Sequence, residues 1–297
     1  MSSFKTLRLI LGDQLNHNHS WYSTQDPSVL YVLAELHQET NYVRHHIQKI
    51  CGFFAAMAAF ADHLKANGHQ VLHLNLDETV EFSDLNGLIN HLTNKYSIGT
   101  FEYQQPDEYR LSQQLQSLDL DSEISVSCHD SEHFLLTNEE LKQYLNPKKH
   151  NRMESFYRKM RKRFHILMDG DETMDGRWNF DSENRQKLKP ADLEDIPEPL
   201  LFSNDISDLL DRIKRHNIKT IGNISSHLIW PVNRQQALEL LDFFCTHCLP
   251  LFGRFQDAMT HQGKQRWSLY HARISFTLNS KILHPSEVVQ AALDRFY

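Results

Sequence analysis

The stretch that decides the fold is TLRLILGDQL at residues 6–15, an apolar run that ends at Gly12 and Asp13. A run of this length predicts a buried strand that leads into a loop. Similar apolar runs predict four further strands, at 29–33, 71–74, 100–103 and 124–128. Because helical patterns separate these runs, the sequence predicts an α/β fold built on a doubly wound parallel sheet.

The helical patterns are clearest after the second strand. Apolar residues recur at three- and four-residue steps over 42–67, which predicts a long amphipathic helix that ends at Gly68. A second helix is predicted over 84–95, with Ser83 as its N-cap.

The pattern changes at about residue 136. Later helices are predicted over 151–168, 234–248, 267–283 and 286–297. The stretch between 169 and 199 is polar and contains prolines, so it is predicted to be an extended connector. The sequence therefore predicts three parts, an α/β domain at 1–135, a long connector with a basic helix at 136–232, and an all-helical region at 233–297.

Composition places the chain among ordinary globular proteins. Of its 297 residues, 40% are hydrophobic and 23% are charged, which excludes a wholly disordered or collagen-like chain. No apolar run approaches the roughly 20 residues of a membrane helix, and the start lacks the pattern of a secretory signal peptide. We therefore expect a cytoplasmic protein with no membrane partner.

Charge is uneven along the chain. The net charge is −7, yet residues 148–163 carry eight basic side chains and one acid, Glu154. Such a stretch predicts an anionic partner, with a solvated helix face as the alternative. Arg177 and Trp178 follow in the connector, where the tryptophan must pack on a domain junction or on a base.

Polar residues follow the first two strands. Gly12 lets the backbone approach a ligand closely, Asp13 and Gln14 supply polar groups, and Glu35 ends the second strand. The carboxyl edge of a doubly wound sheet is where such folds bind ligands. A small planar ligand is predicted here, with an ordinary strand-to-helix turn as the alternative.

Other motifs argue against common enzyme classes. Cys245 and Cys248 form a CTHC motif without a second ligand pair at a matching spacing, so core packing is predicted and a metal or redox site is the alternative. The GxSxG, Walker A and GxGxxG patterns are absent from the sequence. No metal site is predicted.

Seven strings, in order along the chain, carry a resemblance to a known family. They are LILGDQL (9–15), ETNYVRHHIQKI (39–50), RMESFYRKMR (152–161), GRWNFDSENR (176–185), WPVNRQQAL (230–238), LPLFGRFQDAM (249–259) and HARISFTLNSKIL (271–283). The chain resembles the iron–sulfur bacterial branch of the cryptochrome/photolyase family over essentially its whole length.

The resemblance implies two cofactor-binding domains. The N-terminal α/β domain is expected to bind a lumazine-type antenna chromophore, and the C-terminal helical domain is expected to hold FAD. The antenna candidates are Gly12, Asp13, Gln14 and Glu35. The candidates for contact with the FAD phosphates are His271, Arg273 and Ser275.

The resemblance also implies a reaction and a substrate. Family members repair ultraviolet-damaged DNA, at a pyrimidine dimer or a (6-4) lesion, by light-driven electron transfer from reduced FAD, while the protein supplies binding and orientation. A DNA photolyase (a carbon–carbon lyase), monomeric when intact, is therefore expected. The candidates for DNA contact are Lys148, Lys149, Arg152, Arg158, Arg161, Arg177 and Trp178.

By the same resemblance, part of the family's active site is expected beyond Tyr297. Most of the FAD cavity and the four cysteines of the iron–sulfur cluster follow the HARIS segment in the family, and Cys245 and Cys248 do not match those cysteines. This chain alone is therefore predicted to lack a complete active site. The alternatives are a fragment that repairs DNA when whole, a non-catalytic blue-light sensor or antenna-binding module, and an inactive remnant.

Overall fold

The structure is a computed structural model that describes residues 4–184 and 186–297. Residues 1–3 of the predicted α/β domain, and Arg185 in the GRWNFDSENR string, lie outside the described residues. The strands are β1 (Thr6–Leu9), β2 (Val29–Ala34), β3 (Gln70–Leu74), β4 (Thr100–Gln104), β5 (Ser125–His129), β6 (Met168–Asp169), β7 (Glu172–Thr173), β8 (Asn204–Asp205) and β9 (His227–Leu228).

The helices alternate with the first five strands and dominate the later chain. They are α1 (His37–Asn41), α2 (Ile47–Ala66), α3 (Leu76–Thr79), α4 (Leu85–Tyr96), α5 (Tyr109–Gln116), α6 (Asn138–Tyr144), α7 (Met153–Phe164), α8 (Pro190–Glu194), α9 (Ser207–Arg215), α10 (Arg234–Phe243), α11 (Leu249–Phe255), α12 (Ser275–Asn279) and α13 (Pro285–Phe296). A 3₁₀ helix covers Ser20–Tyr22, and a π-helix covers Phe244–Cys248.

Within the described residues, β1 to β5 form one parallel sheet in the order β3-β2-β1-β4-β5. β1 is the central strand, and its Leu7 lies beside Leu30 of β2 and Phe101 of β4. The winding direction reverses between β1 and β4, so the loops after these two strands diverge and leave a crevice at the carboxyl edge. The predicted doubly wound α/β fold is confirmed.

The apolar runs at β1, β2 and β4 contribute the buried core of the sheet, whereas β3 and β5 at its edges are more exposed. Leu7, Val32 and Phe101 have no exposed surface, and Leu88 and Leu92 of α4 belong to the same buried cluster. Strands of a parallel sheet are buried on both faces, so they read as near-continuous apolar runs. This is why the order of the elements could be predicted from the sequence.

Helix starts differ from the prediction where a cap was not recognised. α2 begins at Ile47 rather than at residue 42, because the Nδ1 atom of His46 accepts a hydrogen bond from the backbone N–H of Gln48 and so caps the helix. α4 is capped by Asp84 rather than by Ser83. Gly68, with φ of +84°, follows α2 as predicted.

The helix predicted over 286–297 is confirmed as α13, whereas the helices predicted over 151–168 and 267–283 are shorter than predicted because residues with positive φ interrupt them. α7 ends before His165 (φ 52°), and of the helix predicted over 267–283 the structure retains α12 alone, since Leu269, Arg273 and Lys281 also have positive φ. Such residues cannot continue a right-handed helix. The helix predicted over 234–248 divides into α10 and the π-helix, and the connector contains the β6–β7 hairpin.

The chain forms two compact units. The first contains the residues up to His133 together with Leu201–Ala237 and Phe276–Leu283, and the second contains Phe134–Leu200, Leu238–Ser275 and His284–Tyr297. The parallel sheet belongs to the first unit, and the basic helix α7 belongs to the second. The domain boundaries predicted at 135 and 232 stay predictions.

Candidate functional site

A cavity of about 210 Å³ lies in the first unit, at the carboxyl ends of β1 and β2. α2 supplies an apolar wall with Phe53, Phe54 and Met57. The ionisable side chains on its wall are Asp13, Glu39, Tyr42, His45, Lys49 and Glu108. Because drug-sized ligands occupy pockets of roughly 300 Å³ or more, this cavity suits a small ring system.

His45 brings an unpaired polar atom to the cavity wall. Its side chain is buried, its Nδ1 atom lies 3.5 Å from Nζ of Lys49, and its Nε2 atom has no hydrogen-bond partner in the described part of the chain. Burial and the Lys49 charge lower the pKa of His45, while an interaction with the backbone of Glu39 opposes this change. A neutral imidazole nitrogen can donate or accept a hydrogen bond, according to the tautomer.

Arg110 joins two acidic residues of the wall. Its guanidinium donates to Glu39 at 2.7 and 3.1 Å and to Glu108 at 2.9 and 3.0 Å, and it lies 4.4 Å from the ring centroid of Tyr42. α1 and α5 are thereby linked beside the cavity. The two carboxylates are held by a cation of the protein, so they are already engaged when a ligand arrives.

Asp13 is the third wall carboxylate. Burial raises the pKa of Asp13, and the nearby ammonium of Lys281 opposes this rise. The Nζ atom of Lys281 lies 3.6 Å from Oδ2 of Asp13, beyond hydrogen-bond distance but close enough for ion pairing.

Gly12 lines the cavity in close contact with Met57 of α2. A Cβ atom on Gly12 would lie 3.0 Å from Sδ of Met57, which is closer than ordinary van der Waals contact. The absence of a side chain therefore leaves room for Met57 on the cavity wall.

Of the four antenna candidates, Gly12 and Asp13 line the cavity, whereas Gln14 and Glu35 do not. Gln14 is buried and serves the backbone instead, since its Oε1 atom accepts from Leu11 N at 3.0 Å and its Nε2 atom donates to Gln104 O at 3.2 Å.

Glu35 is fully buried and bound to Arg212 of α9. Burial raises the pKa of Glu35, and the Arg212 guanidinium opposes the rise. Its carboxylate therefore joins the end of β2 to α9.

Sequence reasoning missed His45, Lys49 and Arg110. The four-residue spacing of His45 and Lys49 is visible in the sequence, and His45 lies just before the N-cap of α2. Nothing in the sequence pairs Arg110 with Glu39, which lies 71 positions earlier.

The candidates for FAD phosphate contact lie in the second unit and differ in what they offer. Arg273 donates from Nη1 to Leu200 O at 3.0 Å and stands 5.6 and 5.8 Å from the ring centroids of Trp267 and Phe243. Its Nη2 atom is buried and makes no hydrogen bond to any described residue. Burial lowers the pKa of Arg273. An unpaired buried donor on a guanidinium fits a phosphate oxygen.

Ser275 and His271 offer less to a phosphate. Ser275 is exposed and opens α12, which has five residues, and His271 is partly exposed. The backbone N–H of His271 is already bonded to Ser268 O. The backbone N–H of His271 is therefore already engaged within the chain.

Arg161 has a structural role that its place among the DNA candidates did not anticipate. It is buried, and it donates from Nε to Ile166 O at 3.0 Å, from Nη2 to Leu167 O at 2.7 Å and from Nη1 to Trp178 O at 3.3 Å. Because its donors are bound to carbonyls, the guanidinium ties the end of α7 to the connector and is withdrawn from solvent.

Trp178 packs on the basic helix. Its ring centroid lies 5.1 Å from the guanidinium carbon of Arg158, 5.6 Å from that of Arg161 and 5.9 Å from Nζ of Lys162. The sequence suggested that this tryptophan packs on a domain junction or on a base. In the structure it instead makes cation–π contacts with the basic side chains of α7.

The remaining DNA candidates are exposed. Lys148, Lys149 and Arg152 precede α7, Arg158 pairs with Glu154 at 2.8 Å, and Arg177 pairs with Glu183 at 2.7 Å. Beside them, Tyr157, Asn179, Phe180 and Asn184 line a second, more open cavity of about 350 Å³.

The cysteines do not form a metal site. Cys245 and Cys248 are buried on the π-helix with free thiols, and burial raises the pKa of each. The residues that the structure describes hold no group of three or more His, Cys, Asp or Glu side chains placed to bind a metal ion. They therefore do not fit an iron–sulfur cluster. In 4–184 and 186–297, no helix has the length and apolarity needed to cross a bilayer.

A family profile and a named relative point to the same family. The profile described as deoxyribodipyrimidine photo-lyase-related protein matches residues 8–228. A protein named (6-4) photolyase from Agrobacterium fabrum is 30% identical over 290 residues, which are 96% of this chain and 56% of that protein. An uncharacterized protein of Acanthamoeba polyphaga mimivirus is 28% identical over 177 residues, covering 56% of this chain and 88% of that protein.

A solved structure shares the fold. The crystal structure of a bacterial class III photolyase from Agrobacterium tumefaciens superposes with a TM-score of 0.54 at 14% identity, covering 98% of this chain and 53% of that one. The chain thus spans a little over half the length of the photolyases it matches. Since the family profile matches most of its residues, the chain belongs to the deoxyribodipyrimidine photo-lyase-related protein family.

Proposed function

We propose that this chain takes part in light-driven repair of ultraviolet-damaged DNA and that its α/β unit binds a lumazine-type antenna chromophore. The proposal is supported by the family and by the relative named (6-4) photolyase. The single observation that carries the antenna assignment is the 210 Å³ cavity at the reversal point of the sheet, where a buried imidazole nitrogen has no partner in the described residues.

The wall suits a planar, polar heterocycle. Phe53, Phe54 and Met57 offer apolar contact to the faces of the rings, while His45 and Asp13 offer hydrogen bonds to their edges. A site with an apolar lining and a few placed polar groups fixes both affinity and orientation. Gln14 and Glu35 support this site from the interior.

Flavin binding is proposed for the second unit. Arg273 would hold a phosphate through its unpaired Nη2 atom. When bound, reduced FAD supplies the electron that splits the lesion; the residues of this chain bind and orient. The DNA backbone is assigned to the exposed residues Lys148, Lys149 and Arg152, since basic side chains displace counterions from phosphates.

A fluorescence titration with a lumazine at pH 7 tests the antenna assignment. The protein should bind, and His45→Leu should bind at least about tenfold more weakly, because a buried donor–acceptor contact is lost. His91→Leu, an exposed histidine of α4 outside the cavity, is the matched control and should bind as the parent does. Equal affinity of the parent and His45→Leu contradicts the assignment.

Repair is tested separately from antenna binding. The intact protein purified from its source, supplied with FAD and a reductant and then illuminated, should restore ultraviolet-irradiated DNA, as scored by loss of the lesion. A protein that binds the lumazine and leaves irradiated DNA unchanged is instead an antenna-binding module or light sensor.

A further inference from the structure

Lys281 is a buried cation that the proposed antenna site does not yet explain. Its side chain is 1% exposed. The Nζ atom donates to the carbonyl oxygen of Asp13 at 2.8 Å and to Oδ2 of Asp107 at 2.7 Å. A lysine is seldom fully buried unless it is paired, so this arrangement requires its two partners.

The two partners lie on the loops that flank the crevice. Asp13 follows β1 and Asp107 follows β4, the two strands between which the winding reverses. Lys281 reaches both from the segment Phe276–Leu283, which also binds the first loop through Leu15 N and Ser280 O at 3.0 Å. The lysine therefore fixes the spacing of the two loops at the edge where the cavity opens.

Asp13 differs from the other carboxylates of the cavity wall in how it is held. Glu39 and Glu108 are hydrogen-bonded to Arg110, whereas the Asp13 carboxylate stands 3.6 Å from the Lys281 ammonium. The Asp13 carboxylate is thus neutralised by a nearby charge while its oxygens keep capacity to accept a further hydrogen bond.

We propose that Lys281 is a positioning residue that keeps Asp13 ionised at the cavity wall, so that Asp13 accepts a hydrogen bond from an N–H or O–H group of the bound ring system. The second half of this inference rests on the proposed antenna function. Burial raises the pKa of Asp13 and the Asp107 carboxylate raises it further, so removal of Lys281 leaves only a hydrogen bond to the backbone of Asp13 to oppose these two influences. The other ionisable groups around the cavity are Glu39, Tyr42, His45, Lys49, Glu108 and Arg110.

The first test needs no ligand. Asp13 is titrated by carbon-13 NMR of its carboxyl group in the full chain and in Lys281→Met. The variant should titrate at a clearly higher pH, and circular dichroism should show that it is folded at the temperature used. Lys95→Met, which removes an exposed lysine from α4, is the control for net charge and should leave the Asp13 titration unchanged. An unchanged Asp13 titration in folded Lys281→Met overturns the inference.

The second test measures lumazine affinity against pH. Affinity of the parent should fall on acidification as Asp13 takes up a proton, and in Lys281→Met this fall should come at higher pH. At pH values between these two falls, Lys281→Met should bind the lumazine about tenfold or more weakly than the parent. The reason is that an opposite charge at this distance changes the ionisation equilibrium of a carboxyl by at least that factor. In Asp13→Asn, this fall of lumazine affinity on acidification should be absent.

The double variant Asp13→Asn/Lys281→Met separates positioning from plain structural support. If Lys281 acts through the Asp13 charge, the double variant binds as Asp13→Asn does. A further loss in the double variant contradicts the inference. If the parent binds no lumazine while Asp13 still responds to Lys281 in the NMR titration, the antenna function fails and the coupling of the two residues stands.

Discussion

The Nη1 atom of Arg212 lies 2.7 Å from Oε1 and 2.8 Å from Oε2 of Glu35, a carboxylate with no exposed side-chain surface. The same carboxylate accepts the backbone N–H of Leu76 at 3.0 Å. One buried ion pair therefore ties the end of β2 to α9 and to the start of α3, across 177 positions of sequence.

Glu35→Gln should lower the free energy of unfolding by about 3–5 kcal/mol, because Arg212 is left without a charged partner. Urea unfolding at pH 7 measures the loss. Glu123→Gln, at an exposed position before β5, should unfold as the parent does. Folded Glu35→Gln should keep the parent's lumazine affinity. A tenfold loss of lumazine affinity would mean that Glu35 contributes to the antenna site.

Gly12→Ala should weaken lumazine binding several-fold with little change in thermal stability. The added Cβ atom meets Sδ of Met57 at 3.0 Å, and a flexible methionine gives way into the cavity. Binding should recover in Gly12→Ala/Met57→Ala, where the displaced side chain is shortened. A double variant no better than Gly12→Ala would mean that the loss has another origin.

Arg161→Lys should destabilise the protein by about 2 kcal/mol or more, because one ammonium cannot replace a guanidinium bound to three carbonyl groups. Arg158→Lys, at an exposed position one turn earlier, should stay within about 0.5 kcal/mol of the parent. Urea unfolding of both variants decides. If Arg161→Lys instead keeps its stability and loses DNA affinity, Arg161 contacts phosphate after all.

Replacement of Lys148, Lys149 and Arg152 by alanine should weaken DNA binding and flatten its salt dependence. Each phosphate contact contributes about 0.9 to the slope of log affinity against log salt, so three contacts contribute about 2.7. Fluorescence anisotropy with a labelled duplex at several salt concentrations gives the slope. Alanine at the exposed lysines Lys65, Lys95 and Lys219 matches the charge change and should leave the slope unaltered.

His73→Leu should reduce the dependence of stability on pH. Burial, with the charges of Lys65 and Arg212, lowers the pKa of His73, so the unfolded chain takes up the proton first as the pH falls. The free energy of unfolding of the parent therefore decreases on acidification below about pH 6.5, the usual value for histidine. Urea unfolding at pH 7.5 and pH 5 should show a smaller decrease in the variant, and equal decreases would exclude His73 as a contributor.

The sheet was predictable because its information is local. The apolar run at β2 is buried at nearly every position, and β1 buries Leu7 and Leu9 before its apolar run continues to Ile10. Gly68 likewise marks the end of α2 through a conformation that glycine adopts without strain. The order of the five strands of the sheet, with α2 and α4 between them, follows from such features.

The candidate site was only half predictable because its polar groups are assigned by distant partners. Glu35 and Asp13 look equivalent in the sequence, and what separates them is Arg212 for one and Lys281 for the other. Trp178 could not be assigned for the same reason, since its partners lie on α7. Burial and pairing decide which carboxylate faces a ligand, and neither is visible before the chain is folded.

The bond between Lys281 and the Asp13 carbonyl also has a consequence for synthesis of the protein. The two residues are 268 positions apart, and Asn279 on the same segment lines the cavity. A nascent chain can pair β1 to β5 early, but it cannot finish this wall until residue 281 has left the ribosome. The wall that Asp13 and Asn279 share is therefore completed after the sheet that it adjoins.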